Sequence, residues 1–166
     1  MATLSQPQST FLSLNGLRVH YVDWGYPSAP PVVCVHGYTS SAQAFNALAR
    51  HFQSRFRIIA PEVRGHGESA WSPTEAYHYH DQISDLAGFV DQLRLEQFTL
   101  IGTSMGGIIA MAYAGAHPER LVRLVINGVG TASRGRGSQG HRTMAQWASA
   151  SRTRTPRASS PAGVTP

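Results

Sequence analysis

The stretch Phe98-Thr-Leu-Ile-Gly-Thr-Ser104-Met-Gly-Gly-Ile-Ile-Ala110 constrains the fold more than any other part of the chain. A short apolar run of strand character stops at Gly102, a serine stands between two glycines, and a helix-compatible run of small residues begins at once. Gly102 and Gly106 let the backbone turn sharply from strand to helix, where side chains would collide with neighbouring backbone. A serine held there is strained and exposed. The amides and positive dipole end of the following helix point at the oxyanion that its attack on an acyl carbon would create. The bare string also fits a glycine-rich turn whose serine only caps the helix.

The rest of the chain alternates two periodicities. Leu17–Trp24 alternates apolar and polar residues as a half-buried strand does. Val32–Val35 is a continuous apolar run suited to a strand covered on both faces, and Phe56–Ala60 and Leu121–Ile126 read as further strands. Between them, Phe45, Leu48, Ala49 and Phe52 in segment 41–52 fall at helical spacing. Segment 80–95 places Ile83, Leu86, Val90 and Leu93 on one face, with Asp81, Asp85, Asp91 and Gln92 mostly elsewhere. A small-residue helix over 106–116 ends before Pro118. Strands alternating with helices predict an α/β fold with a mostly parallel sheet and helices on both faces. In such sheets ligands gather at the carboxyl ends of the strands, where Ser104, the loop after Val35 and segment 62–69 all lie.

The formal charge of +5 is not spread evenly. Residues 1–132 hold eight arginines and all nine acids, so this part is close to neutral; residues 133–166 hold six arginines and no acid. That tail, rich in Arg, Ser, Ala and Gly, has only Met144, Trp147 and Val164 as sizeable apolar groups and is expected to be disordered. Its arginines form no stripe and have no interleaved aromatics, so nucleic acid is not an expected partner. A competing reading is that the tail translates an unintended, frame-shifted reading frame. The expected division is a flexible stretch at 1–11, a core at 12–132 and the tail at 133–166. The single cysteine, Cys34, lies in an apolar run and reads as a buried small hydrophobe. No secretory signal or membrane-length apolar run is present, so a cytoplasmic location is the default expectation.

Three motifs follow strands in order: His36-Gly37-Tyr38, Arg64-Gly-His-Gly-Glu-Ser69 and Gly102-Thr-Ser104-Met-Gly106. Together they resemble the α/β-hydrolase superfamily, particularly its single-domain bacterial esterase, lactonase and carbon–carbon bond hydrolase branches. The likeness covers roughly residues 12–132, the first six strands of that eight-stranded fold, so the fold is expected to be incomplete. It implies a nucleophile elbow with Ser104 as nucleophile and an oxyanion hole made by the backbone N–H groups of Tyr38 and Met105. It implies supporting roles for His36, Gly37, Gly102 and Gly106, with His36 and His66 shaping loops and Glu62 anchoring one. It implies metal-free and cofactor-free hydrolysis of a small ester, lactone or related acyl substrate, with thioester, amide and carbon–carbon cleavage left open. Dehalogenases and epoxide hydrolases resembling this pattern carry a carboxylate where Ser104 stands.

A serine needs a histidine to take its proton and an acid to orient that histidine. In this fold they follow the serine in the order acid, then histidine. After Ser104 come only Glu119, His117 and His141: His117-Pro-Glu-Arg resembles the segment that ends the next helix, and His141 lies in the tail. Asn127 and Gly128 stand where some relatives carry an acid. No triad acid or histidine is identified, and impaired activity is expected. The alternative is a non-catalytic remnant or protein-interaction module. The resemblance also implies that strand 121–126, covered by a further strand in relatives, leaves an apolar edge prone to aggregation.

Overall fold

The structure, a computed structural model, describes residues 6–129 of the 166. The expectations placed on residues 133–166 lie outside them. The chain opens with a hairpin of β1 (Gln8–Leu14) and β2 (Leu17–Trp24). Asn15 and Gly16 both take left-handed conformations, with φ of 49° and 79°, and close a two-residue loop with Leu14 opposite Leu17. Asn-Gly is the dipeptide that such a primed turn favours, because its twist matches that of the flanking strands. Strand β1 therefore begins inside the stretch 1–11 that was expected to be flexible. Its alternation is weak by inspection, but the turn and the pairing of Gln8 with Asp23 fix it.

β3 (Pro31–Val35), β4 (Arg57–Pro61), β5 (Phe98–Thr103) and β6 (Leu121–Asn127) complete one sheet in the order β1-β2-β4-β3-β5-β6. β3, β4, β5 and β6 pair in parallel, and β2 runs antiparallel to both β1 and β4. The central strands are the apolar runs of the sequence: Val33, Cys34, Ile59, Ala60 and Leu100 are completely buried. They need to be, because helices cover both faces. One face carries α2 (Tyr79–Gln92) and α3 (Met105–Ala116), with Phe89, Val90, Ile109 and Tyr113 packed against Val33, Ile59 and Leu100. The other carries a 3₁₀ turn, Ala42–Phe45, and α1 (Asn46–Phe52), packed over Trp24, Cys34 and Ile58.

One helix-face expectation needs correction. Asp85 was expected off the apolar face of α2, yet it is buried, because Arg64 reaches it with a two-pronged ion pair at 2.6 and 2.7 Å. Phe52, read at helical spacing with Phe45, Leu48 and Ala49, is exposed; as the last residue of α1 it packs edge-on against His51 and Phe56. β6 is an edge strand among the described residues, and Val122, Leu124 and Val125 are exposed along it.

Candidate active site

The strand order dictates where a site can form. From β3 the chain passes to β4 on one side, and from β5 it passes to β6 on the other. The two connections diverge and leave a crevice at the carboxyl ends of β3 and β5. His36 follows β3 and Ser104 follows β5, so the topology brings the first and third motifs together.

Ser104 has φ 52° and ψ −117°, a backbone conformation that side-chain-bearing residues rarely adopt. It is exposed, and the local chain holds it there. Its N–H donates to the Asn127 carbonyl at 2.8 Å, and its own carbonyl accepts from Gly107 and Ile108 in the first turn of α3. The glycines around it are sterically required. A Cβ at Gly102 would strike the Gly106 carbonyl and lie 2.7 Å from Gly107 Cα. One at Gly106 would strike the Val35 carbonyl at the end of β3. One at Gly37 would lie 3.2 Å from Ser104 Cβ and 3.8 Å from its Oγ, so the His36–Gly37 turn passes directly beside the serine.

Tyr38, Met105 and Ser104 line one open depression of about 290 Å³, together with Tyr79, Ile108, Gly128 and Val129. Tyr38 is largely exposed and meets His66 edge-on, with ring centroids 5.8 Å apart. His36 is fully buried. Its Nδ1–H donates to the Gly37 carbonyl at 2.8 Å, and its Nε2 accepts from the Val63 N–H at 3.0 Å. Burial, above all, holds its pKa below the usual histidine value. A neutral imidazole with both nitrogens committed ties the loop after β3 to the loop after β4 and has no position left for a serine proton.

Glu62 is buried two residues before the second motif, and its carboxylate collects amides. Oε2 accepts from the Glu68 N–H at 2.6 Å and Oε1 from the Ala42 N–H at 3.2 Å. A Cβ on Gly67, which has φ 53°, would collide with that carboxylate. The loop is thereby folded around a charge. Arg64, beside it, adds a bond to the Ala76 carbonyl at 2.6 Å and fastens the same loop to α2. The sequence motifs marked this loop but not its anchor on Asp85, since nothing in helical periodicity signals a buried carboxylate.

Among the described residues no histidine or carboxylate hydrogen-bonds the Ser104 hydroxyl. His117 sits at the far end of α3, roughly 18 Å along the helix by its rise per residue, where its ring packs on Tyr113. Glu119 accompanies it there, 3.9 Å from its Nδ1. His141 lies outside the described residues. The described residues contain no cluster of three or more metal-ligating side chains.

Comparison with known proteins places this geometry. A family model described as the alpha/beta hydrolase fold matches residues 30–157, a span that continues past residue 132, where the core was expected to end. A 3-hydroxybutyrate-oligomer hydrolase of Cupriavidus necator is 35% identical over 115 residues, which is 68% of this chain and 39% of that protein. Epoxide hydrolase 4 of Mus musculus is 34% identical over 113 residues, or 68% of this chain and 32% of the relative. An alpha/beta hydrolase from Novosphingobium aromaticivorans superimposes with a TM-score of 0.71 at 34% identity, covering 77% of this chain and 46% of that one. The chain thus spans less than half the length of each. A match of that extent in sequence, with a shared backbone over most of the described residues, makes this chain a member of the alpha/beta hydrolase fold family.

Proposed function

We propose that Ser104 is a nucleophile for acyl transfer and that the chain belongs to a hydrolase of small esters or lactones. The observation that carries this reading is the positive φ of an exposed serine at the strand-to-helix turn, with Gly37 packed against it. In this reading the Ser104 oxygen attacks the acyl carbon, and the backbone N–H groups of Tyr38 and Met105 receive the oxyanion. Those amides are fixed before the reaction, and loss of one such donor typically costs ~10²–10³ in rate. His36, Gly37, Gly102 and Gly106 hold the two turns in contact, and the depression lined by Tyr38, Tyr79, Met105 and Ile108 accepts a small apolar acyl group. The likeness to a hydrolase of 3-hydroxybutyrate oligomers, which are esters, supports this substrate class. A serine, not a carboxylate, at position 104 disfavours epoxide opening.

The described residues supply no base for Ser104, so the chain's own turnover is proposed to be weak. In the subtilisin precedent, loss of the base removes ~10⁶ in kcat and leaves only the oxyanion hole and binding. The same observation favours a second reading, a non-catalytic module that keeps the sheet but not the chemistry. Hydrolysis of p-nitrophenyl butyrate by the full chain separates them. The enzymatic reading predicts a slow, saturable rate that falls in Ser104→Ala, with an acyl adduct on Ser104; equal rates for the two proteins and no adduct on Ser104 would support the non-catalytic module at this site.

A further inference from the structure

The Ser104 reading leaves unused a second serine that does have a histidine and an acid. Ser9 is exposed on β1, which among the described residues is the edge strand opposite β6. Its Oγ lies 2.7 Å from His20 Nε2, and His20 Nδ1 lies 2.9 Å from Glu62 Oε2. His20 and Glu62 are buried, at 1% and 3% exposure. A carboxylate can only accept, so His20 Nδ1 carries the proton that binds Glu62, and a neutral His20 then offers Nε2 as an acceptor. In that neutral form the Ser9 O–H is the donor. This is the arrangement in which a serine is activated by a histidine oriented by an acid, and such a constellation is recognised by geometry, whatever the order along the chain.

We propose that Ser9, His20 and Glu62 form a second nucleophilic site, independent of Ser104, that is acylated by small activated esters and phosphylated by fluorophosphonates at the open sheet edge. Ser9 Oγ bonds to the acyl carbon or phosphorus as its proton passes to His20 Nε2. The leaving alcohol takes that proton, whereas fluoride departs as the anion and the proton is released to water. Glu62 remains ionised and holds the imidazole; the amides of Glu68 and Ala42 on its oxygens keep it in place. Further contacts hold His20. The Phe11 ring lies against it at 5.0 Å, with the Arg18 guanidinium 3.3 Å over that ring, and the His20 N–H donates to Ser69 Oγ. The exposed Glu68 carboxylate, 3.8 Å from Nε2, stabilises the imidazolium that forms when the proton arrives. A positioned base of this kind contributes typically ~10²–10⁴ in rate.

The test uses the full chain carrying Ser104→Ala, treated with a small fluorophosphonate and mapped by peptide mass spectrometry. Ser13, exposed four residues along the same strand, is the internal control. The expected result is an adduct at Ser9 forming at least ~10²-fold faster than at Ser13, lost in Ser9→Ala and slowed at least tenfold in Glu62→Gln. Unchanged labelling of Ser13 in Ser9→Ala and Glu62→Gln checks that the strand is still in place, so that a slower adduct at Ser9 in Glu62→Gln reports on chemistry. Equal rates at Ser9 and Ser13, or no adduct at Ser9, overturn the proposal without bearing on Ser104.

Discussion

A serine with φ 52° is held against its preference, at a cost of order 1–3 kcal/mol, and the residues that hold it are identifiable. The Asn127 carbonyl fixes its amide, while Gly102 and Gly106 allow β3, β5 and α3 to approach so closely that no methyl group fits. These residues were legible in the sequence because their requirement is local: a turn of this kind needs glycines at fixed offsets. Cys34 was legible for a similar reason, since an apolar run buries whatever it contains; burial pushes its thiol up to about 12. His36 was legible only as part of a turn. Its commitment to the Val63 amide joins residues 27 positions apart, and no spacing rule encodes that. Ser9 and His20 passed unremarked because serine and histidine on neighbouring strands have no signature until the register of β1 and β2 is known.

At the scale of elements, the loop between β4 and α2 is held by buried charge more than by apolar contact. Arg64 is 5% exposed, and its pair with Asp85 is joined by Asn15 Nδ2, which donates to Asp85 Oδ1 at 2.8 Å from the β1–β2 turn. Burial lowers the affinity of Arg64 for its proton, but the Asp85 carboxylate more than offsets this and leaves its pKa raised. Removing one partner strands the other in a dry setting, which typically costs 3–5 kcal/mol. Asp85→Ala is therefore expected to lower stability by about 3–5 kcal/mol in urea unfolding. Asp91→Ala breaks the exposed pair with Arg120 and is expected to cost less than about 1 kcal/mol. Similar effects for the two variants would contradict this account. The helix itself was readable from the period of Ile83, Leu86 and Val90. Its burial of Asp85 was not, since the pattern shows which residues face the core but not which charge the core contains.

On the scale of the whole molecule, the alternation of strands and helices pointed to a parallel sheet, yet strand order is a property of space and not of sequence spacing. The order β4-β3-β5-β6 puts the crevice between β3 and β5, and the Asn-Gly turn adds β1 to the opposite edge. No described helix is long and apolar enough to cross a membrane. Among the described residues β6 is an edge strand, and its exposed Val122, Leu124 and Val125 give it the character of an edge that recruits another strand. Light scattering across a concentration series is expected to show association that Leu124→Lys with Val125→Lys reduces; a monomer at every concentration would contradict it. In the proposed function the fold presents Ser104 as a preorganised nucleophile for which no described residue is the base. The most direct measurement is the rate of fluorophosphonate addition to Ser104 in the full chain, compared with exposed Ser54 in the same digest. The account predicts an adduct at Ser104 that forms faster than at Ser54 but over hours, and is absent from Ser104→Ala. A rate no greater than that of Ser54, or complete labelling within seconds, would contradict it.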